Sequence, residues 1–210
     1  MPTRKLSFKE SKTINYYDKH AQEWKVKHKQ SGNFGRLSPE FKLFLKLLPK
    51  GKVIEIGTGT GEDAINLIKK YGIGNYVGLE PAKGLMEIAI ENNPGAKFLN
   101  KSIYEIDFPK NTFDGFWLCQ MLIHIPKNRI NIALNLVNNI LKPKSIGMIS
   151  ILEGNNTEME ESRPGRYYSL WNDEEFSNVL KKNGFEIVHK RKLETGFSPW
   201  LIYVLRKVVN

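Results

Sequence analysis

The sequence predicts an α/β domain assembled from strand–helix–strand units, and three observations carry that prediction. Val53-Ile54-Glu55-Ile56 is an apolar run too dense for an amphipathic helix; Gly57, Gly59 and Gly61 follow at every second position; apolar residues then recur at 64, 67, 68 and 71. That order reads as buried strand, tight turn and helix. A second apolar strand over residues 75–79 closes on Glu80, 19 residues beyond Gly61, which completes a βαβ unit with an acid at its tip. A chain of 210 residues suits one domain, large enough to bury a core without disulfides or structural metal.

The glycines let the backbone turn sharply and pass close under a ligand, and the amides that open the following helix offer donors and a favourable dipole. The same kind of turn also occurs in α/β proteins that bind nothing there. A dinucleotide site needs a third glycine at position 62, where Glu62 stands, and a P-loop needs Lys-Ser or Lys-Thr after Gly61. What remains is E-x-G-x-G-x-G, with Glu55 inside the strand. A carboxylate there suits a ligand carrying an ammonium and a sulfonium, and repels a phosphate. The pattern resembles the first motif of class I S-adenosylmethionine-dependent methyltransferases. The resemblance implies that Glu55, Gly57, Thr58, Gly59, Gly61 and Asp63 hold S-adenosylmethionine, and that Glu80, with Pro81 beside it, accepts hydrogen bonds from the ribose hydroxyls.

Before this corner, residues 11–29 read as one helix with a stripe of Ile14, Tyr17, Ala21, Trp24 and His28. Most such stripes are packing; the order Tyr17-Asp18-x-x-Ala21-x-x-Trp24 is similar to the opening helix of many small-molecule methyltransferases, where it caps the pocket. Residues 31–35 form a break. Ser38 as N-cap and Pro39 at the first helical position start a helix with an apolar face at 41, 44, 45 and 48. Residues 1–50 are thus expected as a helical cap and 51–210 as the methyltransferase core.

After Glu80, residues 81–90 match the family's next helix, and residues 96–99 form a short third strand. An acid that usually contacts adenine is replaced by Ser102, so the contact falls to this weaker acceptor or to backbone groups of Ser102 and Ile103. Residues 113–119 give a fourth strand, and residues 120–126 the loop beyond its carboxyl end, where open α/β sheets bind ligands. Cys119 and Gln120 are expected beside the cofactor. Residues 127–141 read as a helix and 146–152 as the fifth strand. Residues 153–170 are polar and too long for an ordinary connection, which points to a substrate loop or a disordered excursion. Asn172 or Asp173 caps a helix with a face at 176, 179 and 180, and residues 185–188 and 200–205 supply an antiparallel pair. The resemblance covers roughly residues 13–205. It implies a single-domain Rossmann-like, seven-stranded, mostly parallel sheet with helices on both faces and the last strand antiparallel.

The net charge of +10 is concentrated in residues 1–52, which hold 13 Lys and Arg against 4 Asp and Glu, a net +9. A basic layer attracts an acidic substrate or RNA; a solvated lysine face is the plainer alternative. No membrane span or secretory leader is read, and the single Cys119 suits a reducing, cytoplasmic setting. His20, His28, His124 and His189 are scattered, so no metal site is expected. Methyl transfer is an in-line displacement in which the protein aligns nucleophile and methyl, excludes water and takes a proton where needed. His124 is the best-placed base, with a structural histidine as the alternative. Tyr17, Trp24, His124, Arg166 and Tyr168 are expected to line the acceptor pocket, Arg166 facing a carboxylate or phosphate unless it pairs with Glu158, Glu160 or Glu161. The acceptor expected is a small molecule, on a monomer or homodimer. A tRNA-base methyltransferase, or a non-catalytic nucleotide- or RNA-binding module of the same fold, stands behind it.

Overall fold

The computed structural model describes residues 5–31, 37–155, 158–159, 165–196 and 198–209; of the expected break at 31–35, Ser31 ends a helix and 32–35 lie outside the described residues. The N-terminal stripe forms two helices, not one. α1 (Phe8–Lys19) opens earlier than the stripe suggests, with a reciprocal cap in which Ser7 and Glu10 each receive the other's backbone N–H. It stops at His20, whose φ of −107° leaves the helical range, and α2 (Ala21–Ser31) follows at once. The apolar stripe survives the break: Ile14, Tyr17, Ala21 and Trp24 pack on Ala82, Leu85 and Ile88. The His28 side chain lies outside the described set.

α3 (Ser38–Leu47) has Leu37 as its N-cap, without a side-chain hydrogen bond, so Ser38 is its first residue and Pro39 its second. The reason is that first-turn amides have no intrahelical partner, so a proline fits at either position and does not fix the start. Phe41 and Phe44 meet the Trp117 ring edge-on, with centroids 5.7 and 5.3 Å away. α3 therefore packs on a face of the sheet, whereas α1 and α2 lie against residues 82–88.

The remaining elements are β1 (Val53–Ile56), α4 (Glu62–Tyr71), β2 (Tyr76–Leu79), α5 (Lys83–Asn92), β3 (Lys97–Leu99), β4 (Phe113–Leu118), α6 (Ile130–Ile140), β5 (Leu141–Leu152), β6 (Glu158–Met159), β7 (Tyr168–Ser169), α7 (Asp173–Lys182), β8 (Phe185–Leu193) and β9 (Trp200–Lys207). Seven strands form one sheet in the order β3-β2-β1-β4-β5-β9-β8. β1 to β5 pair in parallel, and β9 runs antiparallel to both neighbours. Alternation divides the core: Ile54, Phe116, Ile149 and Tyr203 belong to one apolar cluster, and Val53, Trp117, Met148 and Val204 to the other.

Two details differ from expectation, and one open alternative is resolved. A short 3₁₀ turn at Lys127–Arg129 precedes α6, and Leu141 already belongs to β5. Leu141 pairs with Phe113 before the register shifts, so sheet pairing overrides the helical stripe there. The polar segment after β5 is partly structured, with β6 and β7 paired antiparallel. Asn172, not Asp173, caps α7, accepting the Glu175 N–H at 2.8 Å.

Candidate active site

Segments from α1, α2, the strand ends and β7 converge on one cavity of about 480 Å³, within the roughly 300–1,000 Å³ of small-molecule sites. It is lined by Glu55, Gly57, Thr58, Gly59, Asp63, Glu80, Pro81, Ser102, Ile103, Cys119 and Gln120, and equally by Tyr17, Trp24, His124, Arg166 and Tyr168. Gly61 is the expected residue that does not line it. A Cβ there would stand 2.7 Å from Asn93 Nδ2 and 3.0 Å from Ala89 Cα, so Gly61 serves the close packing of α4 on α5. Gly59 has the opposite surroundings: with φ +56°, its missing Cβ would meet nothing within 4 Å.

One end of the cavity is acidic. Glu80 accepts the Gly59 N–H on one carboxylate oxygen and the Ala82 N–H on the other, both at 2.9 Å. Burial pushes its pKa up to about 7, against the pull of those two donors. Each oxygen retains a lone pair for a further donor. Glu55 accepts the Tyr76 hydroxyl at 2.5 Å, and burial, then the neighbouring Asp63, hold its carboxyl well above the usual range. Asp63 accepts the Trp117 indole N–H at 2.7 Å. The buried Thr58 hydroxyl has no hydrogen-bond partner among the described residues. An orphaned hydroxyl, open space at Gly59 and three buried carboxylates fit a ligand with cationic and hydroxyl groups, as S-adenosylmethionine is. Ser102 is less free than the sequence suggests, since its N–H and its hydroxyl both donate to Glu105, at 2.8 and 2.7 Å. That removes its backbone donor and leaves its hydroxyl oxygen as an acceptor.

The other end is aromatic around one cation. Arg166 is 8% exposed, and its guanidinium lies 5.0 to 5.8 Å from the ring centres of Tyr16, Tyr17, Trp24 and Tyr168, distances at which ring faces attract a cation. Its Nε–H has no hydrogen-bond partner among the described residues. Glu160, Glu161 and the Glu158 side chain, the pairing alternative, lie outside that set.

His124 is engaged at both nitrogens. Its Nδ1 lies 2.7 Å from the Tyr167 carbonyl, which accepts only, so Nδ1 carries the proton. Nε2 then accepts the Tyr17 hydroxyl at 2.9 Å. Burial first, and the Arg166 charge after it, lower the His124 pKa to about 4 against the favourable Tyr167 bond. The Tyr17 hydroxyl, not the imidazole, is thus the group of this pair with a lone pair left to offer.

The sequence reading missed Glu10, Thr13, Met121, Leu152 and Trp200, which also line the cavity. Glu10 is buried, accepting the Tyr104 hydroxyl at 2.5 Å and facing Arg129 Nε at 3.1 Å. The Ser7-x-x-Glu10 spacing marks a helix start in the sequence, yet nothing local foretells partners about a hundred residues away. No described helix is long and apolar enough to cross a membrane.

A family model described as a methyltransferase domain matches residues 53–144. Phosphoethanolamine N-methyltransferase of Plasmodium falciparum is 26% identical over 168 residues, spanning 75% of this chain and 62% of that protein, less than two thirds of its length. Among solved structures, the Burkholderia thailandensis 1,6-didemethyltoxoflavin-N1-methyltransferase, with 1,6-didemethyltoxoflavin and S-adenosylhomocysteine bound, superposes with a TM-score of 0.78 at 15% identity, covering 98% of this chain and 92% of that one. A DhpI complex with S-adenosylhomocysteine gives 0.72 at 14% identity, covering 98% and 100%. At such identities the structures establish the fold, that of class I methyltransferases.

Proposed function

We propose that this chain, whose residues 53–144 are a methyltransferase domain on the class I fold, moves a methyl group from S-adenosylmethionine to a small-molecule acceptor bearing an anionic group. The observation that carries the reading is a single cavity with an acidic cradle at one end and a buried, aromatic-lined guanidinium beside a Tyr–His pair at the other. When bound, S-adenosylmethionine supplies the electrophilic methyl and its thioether leaving group. Glu80 accepts from the ribose hydroxyls, while Glu55 and Asp63 face its cationic end. The planar guanidinium of Arg166 receives a carboxylate or phosphate of the acceptor in a two-pronged contact.

Tyr17 takes the proton of the acceptor's attacking group on its oxygen as its own proton passes to His124 Nε2. A neutral His124 with Nε2 unprotonated is needed for that: burial keeps the ring neutral, and the bond to the Tyr167 carbonyl keeps its one proton on Nδ1. An anion on Arg166 cancels part of the charge that holds His124 down, so acceptor binding itself strengthens the base. The named acceptor of the Plasmodium relative, phosphoethanolamine, joins a phosphate to an amine. That combination suits Arg166 and Tyr17 respectively.

The test is methyl incorporation from labelled S-adenosylmethionine into phosphoethanolamine, a panel of carboxylated and phosphorylated small molecules, and bulk tRNA. Transfer into an anionic small molecule is the expected result. Transfer confined to tRNA, with binding that weakens steeply as salt rises, would instead assign the basic N-terminal segment to RNA and overturn the small-molecule reading.

A further inference from the structure

We infer that Thr13 is a positioning residue for the acceptor end, acting through the peptide unit of Tyr167; the inference rests on the acceptor reading above. Thr13 is 3% exposed and stands four residues before Tyr17, hence on the same face of α1. Its hydroxyl donates to the Lys9 carbonyl at 3.0 Å and accepts the Tyr167 N–H at 2.9 Å. The carbonyl of that same Tyr167 accepts the His124 Nδ1–H at 2.7 Å. Tyr167 is therefore a bracket one residue long: α1 holds its N–H, and its C=O holds the imidazole tautomer.

The bracket also aims the two side chains around it. Residues i and i+2 of an extended segment share a face, and Arg166 and Tyr168 both point into the cavity. Gly165, with φ +89°, brings the backbone so near α1 that a Cβ there would stand 2.4 Å from the Tyr16 ring. One helix thus fixes the anion-binding cation, the relay hydroxyl and the base together. Deleting the Thr13 hydroxyl orphans a buried N–H, which costs more than the loss of an exposed bond. The segment relieves that cost by shifting toward water, and the carbonyl leaves His124. What is required is an oxygen and not volume, so serine should substitute and valine should not.

The test uses the full chain as Thr13→Val, Thr13→Ala and Thr13→Ser. Histidine ¹⁵N NMR should show His124 protonated at Nδ1 in the wild type and the Ser variant, and a mixture of tautomers in the Val and Ala variants. Inorganic phosphate titrated into protein saturated with S-adenosylhomocysteine should bind about fivefold or more weakly to the Val variant, the equivalent of one lost hydrogen bond. S-adenosylhomocysteine affinity should stay within about twofold throughout, since Thr13 is not asked to hold the cofactor. If the Val variant does not fold, the Ala variant carries the comparison. A Val or Ala variant that loses stability but keeps the wild-type tautomer makes Thr13 merely structural and overturns the inference. If the wild type binds no phosphate, the acceptor reading fails, while the tautomer comparison still decides the role of Thr13.

Discussion

Replacing Glu80 with glutamine separates the charge of the cofactor cradle from its shape. In the free protein burial has pushed the Glu80 carboxyl up to about 7. Ribose hydroxyls donating to its remaining lone pairs favour the charged form, so its pKa is lower in the complex and binding releases a proton. The sign follows: affinity is greatest above about pH 7 and falls about tenfold per pH unit below it, until the pKa of the complex is reached. Glutamine offers one acceptor oxygen to the two amides of Gly59 and Ala82, turns its NH₂ toward the other, and carries no charge. Two hydrogen bonds to a charged acceptor are worth about 1.5–3 kcal/mol each. Half protonation of the carboxylate at neutral pH takes only about 0.4 kcal/mol from that sum, so the net loss is about 2.5–5.5 kcal/mol, or about 70- to 10,000-fold in affinity. Calorimetric titration with S-adenosylhomocysteine from about pH 5.5 to about pH 8.5 measures both effects. A Glu80→Gln protein within about tenfold of wild type at the alkaline end, or a wild-type affinity that is flat below neutrality, would refute the assignment of Glu80 to the ribose.

Gly59→Val should remain folded, because its side chain enters open space and the left-handed φ costs only about 1–2 kcal/mol, yet S-adenosylhomocysteine binding should vanish by calorimetry. Gly61→Ala should do the reverse, collide with Asn93 and Ala89 and lower the melting temperature through roughly 1–3 kcal/mol of overpacking. Arg166→Met should abolish phosphate binding to the S-adenosylhomocysteine-loaded protein without lowering the melting temperature, since apolar replacement of an imperfectly satisfied buried cation is often neutral or stabilising. Tyr17→Phe should cut turnover by about a hundredfold or more with cofactor affinity unchanged; retained turnover would return the base to His124 or dispense with one.

The acidic end of the cavity was legible in the sequence because it is local. Glu55, the glycines and Glu80 lie within one βαβ unit, where strand alternation and turn chemistry place each of them. Gly61 shows the limit of such a pattern: three equally spaced glycines look alike in sequence, and only the neighbouring helix reveals that the last one faces Asn93 and Ala89. The aromatic end was legible as a set of residues but not as an arrangement of hydrogen bonds. Tyr17, His124 and Arg166 come from three distant segments, and whether an imidazole is free or committed depends on a backbone carbonyl that no side-chain pattern encodes. The break at His20 was hidden because a helical stripe can continue in phase across a one-residue interruption, and the earlier start of α3 because a proline fits either of the first two helical positions.

The position of β9 sets a condition on how the protein can be made. This strand, Trp200–Lys207, fills the gap between β5 and β8, and its residues 201–205 are all buried. A growing chain that has emerged only as far as residue 193 leaves the β5 edge with unmatched amides and β8 without the strand that joins it to the sheet. Such edges invite pairing with other chains. Completing the sheet therefore waits on residues 200–207, and shortening the chain before residue 205 removes pairing partners of both β5 and β8.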